Sequence, residues 1–320
     1  MAVIALGCAA TAGNARAQGP LAASVRADND AFNFWMLYLR PDEEYTSGVR
    51  GTLEYAGAAP WERWLHPRVV ACAAGVQRCA THTYALGQDI YTGTLLAPAD
   101  TSYVPGSRPE AGWLYVQEVS RVASRDGLDE TSVTLGVIGP PSLGAAGQRV
   151  AHGWGPDFNN TFNWSAQLPF EPGIILAYER TQRMLVFGEG GPFGGDVEPH
   201  AGASLGNILT GGTAGVRART GFRLRHPWLI AAPSSTPEVS LFVDATMHGV
   251  VRNEFLAGTM FRPSAHVQER PFVPEYQGGI SLRWRGWTAM YSIDQTESEY
   301  VTRATGHSWS RLAVEWRFDR

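Results

Sequence analysis

The chain has 320 residues, 44% of them hydrophobic and 18% charged, with a formal net charge of −4 and 26 basic residues that are all arginine. That much apolar surface excludes an intrinsically disordered chain, an acidic lysine-free sequence carries no electrostatic footprint for nucleic acid, and Schiff-base, P-loop and kinase chemistry lose their lysine. No run of 18 apolar residues occurs, which excludes a membrane-spanning helix but not spanning strands, whose apolar and polar residues alternate.

In chain order, Ala2–Thr11 is an apolar run of mainly small residues followed by Ala15-Arg16-Ala17. This small-x-small spacing predicts signal-peptidase cleavage after Ala17, leaving residues 18–320 as the mature chain. The positively charged segment that normally opens such a signal is missing. Cys8 offers a lipoprotein reading, although Ala5 stands where a bulkier residue is usual, and a buried core helix is the plain alternative. Beyond residue 18 the recurrent pattern has a period of two, the mark of strands with one apolar face. Val49, Gly51, Leu53 and Tyr55 alternate with Arg50, Thr52 and Glu54. Val216, Ala218, Phe222 and Leu224 alternate with Arg217, Arg219, Arg223 and Arg225. Leu312, Val314, Trp316 and Phe318 alternate with Arg311, Glu315 and Arg317.

A soluble sandwich turns its polar face to water. Here arginine opposes large apolar and aromatic side chains, which suits an antiparallel transmembrane β-barrel with lipid outside and arginine inside. The fold class is therefore all-β, with about twelve strands near 20–28, 46–56, 81–91, 111–121, 131–138, 168–188, 196–206, 213–225, 238–248, 271–285, 287–296 and 309–318. With both termini periplasmic, the long connections 29–45, 92–110, 139–167, 249–270 and 297–308 are extracellular. The 57–80 connection is the exception, being long for a periplasmic turn. It holds Cys72 and Cys79, which read equally as a local disulfide or as two buried thiols, and no cysteine or histidine spacing suggests zinc.

Three loop segments carry candidate chemistry. Asn29-Asp30 ends the first strand, Tyr45-Thr46-Ser47-Gly48 begins the second, and Gln148-x-x-x-His152 lies in the 139–167 connection. On a helix, residues four apart share a face, so Gln148 and His152 are expected to point the same way. The topology puts all three segments at the outer rim, where a carboxylate, amides, a hydroxyl and an imidazole suit hydrolysis. The plain readings are turn chemistry at Asp28-Asn29-Asp30, ordinary strand entry at residues 45–48 and a surface histidine. There is no Gly-x-Ser-x-Gly elbow, the signature of the common serine hydrolases.

At these residues the chain resembles the outer-membrane lipid A 3′-O-deacylases (LpxR type), over nearly the whole mature length. The resemblance is carried by Asp28-Asn29-Asp30, Tyr45–Gly48, Gly87-Gln88-Asp89-Ile90-Tyr91, Ala111–Tyr115, Leu135–Pro140 and Gln148…His152. Asn163–Leu168 with Glu171-Pro172, Leu205-Gly206-Asn207 and Asn253-x-Phe255-Leu256 complete it. It implies a twelve-stranded barrel that hydrolyses the ester holding the 3′-acyloxyacyl chain of lipid A in the outer leaflet, with Ca²⁺. His152 matches the family's general base, and Asn29, Asp30, Thr46 and Gln148 match its other site positions. Asp30 and Asn29 are the expected calcium ligands. The family's lysine has no counterpart here, so Arg108 is the candidate phosphate contact. Asp157 is the loose counterpart of the family's acid. Ser47 is a candidate substrate contact, and is the alternative to water as nucleophile. The expected partner is lipid A or lipopolysaccharide, with no nucleic acid, and the expected state is a monomer. An outer-membrane phospholipase and a non-enzymatic pore or structural barrel are the competing functions.

Overall fold

The computed structural model describes residues 19–30, 44–59, 61, 69–93, 105–152, 164–230 and 235–318, with only the backbone at 151, 152 and 165. The expected signal peptide, residues 1–17, and Asp157 lie outside the described residues. Twelve strands form the wall: β1 (Ala22–Asn29), β2 (Glu44–Ala56), β3 (Arg78–Thr92), β4 (Ala111–Ser124), β5 (Gly127–Ile138) and β6 (Glu171–Gln182), then β7 (Phe193–Gly206), β8 (Leu209–Phe222), β9 (Glu238–Asn253), β10 (Phe272–Trp284), β11 (Trp287–Thr296) and β12 (His307–Arg317). Each pairs antiparallel with its sequence neighbours, and β1 closes on β12 from Ala22 opposite Arg317 to Asn29 opposite Ser310. No described helix is long and apolar enough to cross a membrane.

The period-two pattern sorts the side chains as expected. On β3, Tyr84 and Leu86 face outward and are exposed, while Thr81, Thr83 and Ala85 on the other face are buried. Inside, the arginines are matched with acids, because a charge withdrawn from water is tolerated only when paired. Arg219 makes two bonds to Asp196 (2.9 and 2.7 Å), which also receives Arg183 (2.7 Å). Arg311 joins Asp28 (3.1 Å) to Asp294 (3.3 Å).

One element departs from the sequence expectation. The strand expected over 168–188 ends at Gln182, and Met184–Phe187 is a separate strand lying along β7, with Met184 opposite Val197. The backbone N–H of Arg183 leaves the ladder for Asp126 O (3.0 Å), and Leu185 takes a positive φ of 47°. The turn delivers the Arg183 guanidinium to Asp196 inside the barrel. The break falls where the polar run Glu179–Arg183 gives way to apolar Met184–Phe187.

Packed clusters lie at both mouths. At the rim of long connections, Trp113, Ile138, Leu168, Ile208 and Phe255 pack together, and Phe255 stacks on Tyr91 at 4.3 Å between ring centroids. At the rim near the termini, Cys72 and Cys79 form a disulfide, with Cα atoms 4.7 Å apart. Trp228, Leu229 and Ile230, from the β8–β9 connection, pack against it. The indole of Trp228 is tied to Ser124 O at 2.6 Å. A cavity of about 950 Å³ lies inside this cap, lined by apolar residues of the cap and by charged side chains of the wall such as Arg217 and Asp244.

Candidate functional site

The β5–β6 connection positions the site. It leaves β5 at Gly139, where φ is 83°, passes through a 3-10 turn at Pro140–Ser142, and enters helix α1 (Gly144–His152) after Leu143 in the left-handed region. Ala145 and Ala146 favour the helix, but its seat decides where it lies. Gly144 rests on Gly112 of β4, and Gly147 on Gln88 and Ile90 of β3. A Cβ at Gly112 would stand 2.2 Å from Ser142 Oγ and 2.9 Å from Gly144 Cα. The side-chain amide of Gln88 donates to Ser142 O at 2.6 Å and pins the turn.

Gln88 and Ile90 share their strand face with Leu86, which is 60% exposed, whereas Ile90 under the helix is 3% exposed. Helix α1 therefore covers the outer face of the barrel wall and not the lumen. From Gly144 over β4 to Gly147 over β3 it travels across the strands. At 1.5 Å per residue, the same direction carries the His152 backbone about 7.5 Å beyond Gly147, toward β2 and β1.

The ladder puts other candidates along the same row of the wall. Asn29 pairs with Ser47, Ser47 with Ile90, and Ile90 with Gly112, one row on the outer face. A bulge between Tyr45 and Ser47 sets Thr46 and Ser47 together against β3, the usual way a strand re-aims a side chain at a rim. The hydroxyl of Thr46 bonds that of Thr92 (2.6 Å). The carbonyl of Thr46 accepts from Asn29 Nδ2 (3.4 Å) and from the Asp30 backbone N–H (3.3 Å). Asp30 is buried. The donors gathered here are oxygens with a single carboxylate, a set suited to a hard cation such as calcium. Among the described residues, no three His, Cys, Asp or Glu side chains gather as a metal site.

Gln148 is 4% exposed, and its Oε1 accepts the indole N–H of Trp164 at 2.6 Å. Its Nε2 is buried without a hydrogen-bond partner. Arg108 does not join this group. It is wholly buried, with Glu299 at 2.8 Å, Glu44 at 3.4 Å and the Tyr91 ring beneath it at 5.1 Å. It borders a lumen cavity of about 240 Å³ shared with Asp28 and Asp89. Burial opposes its charge, but Glu299 and Glu44 outweigh that and hold the guanidinium above its ordinary value. The expected contact with substrate phosphate is not supported by this placement.

Three rim residues with chemistry escaped the sequence reading. Trp164 was only one letter in a stretch carrying the family resemblance, and its tie to Gln148 spans a connection whose path spacing does not reveal. Glu110 is buried with Oε2 unpartnered, and burial raises its carboxyl. Glu254 opens helix α2 (Glu254–Ala257) and is fully buried beside Glu171. Burial, then the Glu171 carboxylate, push it up to about 8.

The fold agrees with that of a known barrel. LpxR from Salmonella typhimurium superposes with a TM-score of 0.73 at 18% identity, covering 93% of this chain and 100% of that one. The beta domain of the Bordetella autotransporter BrkA matches at a TM-score of 0.49 and 11% identity, covering 94% and 99%. No curated protein matches the sequence. The family described as outer membrane protein LpxR matches residues 1–318. With the barrel and the sequence match in accord, the chain belongs to the LpxR family of outer-membrane proteins.

Proposed function

We propose that the protein is a lipid A deacylase that hydrolyses the ester carrying the 3′-acyloxyacyl chain. The observation that carries this reading is the seat of α1 on the outer face of the wall, over β3 and β4, in the row that continues to Ser47 and Asn29. A lipid in the outer leaflet reaches that face without being extracted, whereas a lumen site would require extraction. Membership of the family supports the same substrate class.

In this reading His152 is the general base. It takes a proton from water as the water oxygen adds to the ester carbonyl carbon, and the carbonyl π pair moves onto its oxygen. When the tetrahedral intermediate collapses, the sugar oxygen leaves with the bond pair and takes the proton from the imidazolium. The products are a sugar hydroxyl and a free acyloxyacyl acid. Asp30 and Asn29 would hold Ca²⁺, which when bound supplies positive charge opposite the developing oxyanion. The Asn29 amide is anchored through Thr46 O, so the bulge at Thr46 fixes the orientation of this pair. Ser47, in the same row, meets the substrate's polar head in this reading. With Arg108 engaged by two acids, phosphate recognition falls to other residues.

The test is mass spectrometry of lipid A from cells with and without the protein. Loss of the mass of the acyloxyacyl chain is expected, and its absence, or release of fatty acid from phospholipid instead, overturns the substrate assignment. Folded His152→Ala should lose about 10²–10⁴ in rate, the usual contribution of a positioned base. Chelation should abolish activity and Ca²⁺ restore it.

A further inference from the structure

Gln148 is sealed within the connection that forms the site, and one half of its amide is committed. The indole N–H of Trp164 can only donate, so the atom it meets at 2.6 Å is the amide oxygen. The choice between the two amide orientations, which coordinates alone leave open, is thereby fixed chemically. The NH₂ group is then on the opposite side, buried and without a partner. Burying a donor unsatisfied is costly, and native proteins keep such atoms where something else completes them.

We propose that Trp164 is a positioning residue that locks the Gln148 amide, so that Nε2 donates to the ester carbonyl oxygen as it becomes an oxyanion. This rests on the deacylase reading above. A donor fixed before reaction and shielded from water is what electrostatic catalysis requires. The neighbouring contacts make the lock rigid. The Trp164 ring lies against Gly144, where a Cβ would stand 2.9 Å from ring carbons. The Trp164 carbonyl accepts the Gln167 side-chain amide at 2.8 Å. The next turn is held by Leu168 N donating to Glu110 O at 2.9 Å. Gln148 thus acts as a donor to the substrate.

The test is a double-mutant cycle on lipid A hydrolysis. Trp164→Phe keeps an aromatic ring against Gly144 but removes the N–H. Gln148→Glu keeps the shape and acceptor but removes the NH₂. Gln148→Glu should lower kcat about 10²–10³-fold, the usual effect of removing one oxyanion donor. Trp164→Phe should lower kcat by less, with KM nearly unchanged. The double variant should be no slower than Gln148→Glu, since without the NH₂ the lock has nothing to position. Losses that multiply, or a Trp164→Phe enzyme with wild-type kcat, overturn the proposal. A second measurement stands apart from the substrate. With ¹⁵N-tryptophan labelling, the resonance missing in Trp164→Phe should show slow hydrogen exchange in the wild type and fast exchange in Gln148→Leu. Fast exchange in the wild type refutes the lock. Slow exchange in a protein that leaves lipid A intact refutes the deacylase reading, and with it the oxyanion role, while the lock itself stands.

Discussion

Glu254 has no solvent to stabilise its charge and a second carboxylate beside it. The groups around it are few. Arg252 approaches at 3.6 Å, and Met260 N–H donates to Oε1 at 3.3 Å. Glu171 is already taken up by Asn207 Nδ2 (3.1 Å) and the Phe261 N–H (3.2 Å). Burial and Glu171 outweigh the stabilising pair, and the carboxyl rises from 4.5 to about 8. The folded state therefore binds a proton that the unfolded segment releases. The stabilisation is complete below the unfolded value and is lost as pH rises through about 8. Local opening of the β9–β10 connection should increase with pH by at most about tenfold per unit between those limits. Cleavage after buried Phe255 by chymotrypsin reports it. Glu254→Gln, neutral at every pH, should flatten the curve relative to wild type, and identical curves would remove the proton from the account.

At the scale of the element, α1 depends on the absence of a side chain at Gly112. Gly112→Ala puts a methyl group 2.9 Å from the backbone of Gly144, which cannot move as a side-chain tip can. The helix must lift from the wall, displacing Gln148 and His152. A misplacement of about 1 Å costs on the order of 10²-fold in rate, so a large loss in kcat is expected while heat-modifiable gel mobility, the sign of an intact barrel, is unchanged. A fully active variant would show that the seat is not needed. This contact also marks how far the sequence could be read. The strands were legible because alternation is local, and residues 213–225 and 309–318 show it plainly. The seat was not, because Gly112 meets Gly144 only after the register sets Ile90 opposite Gly112. Arg108 failed for the same reason. Its partners, Glu44 and Glu299, lie far away in sequence, and spacing gave no hint that they would claim it.

For the whole molecule, the Trp113–Phe255 cluster packs at one mouth and the disulfide-linked cap at the other, with two cavities between them that narrow the path through the barrel. Planar-bilayer recordings of the refolded protein should be silent, and steady ion conductance would restore the pore reading. The position of α1 on the outer face has a further consequence. A site on that face meets its ligands by diffusion within the leaflet, so the quantity that governs saturation is mole fraction in a two-dimensional mixture and not molarity. Diluting a substrate lipid with inert lipid at constant total concentration should slow turnover, whereas adding buffer should not. The protein's working rate is then set by how crowded, ordered and fluid its surrounding leaflet is.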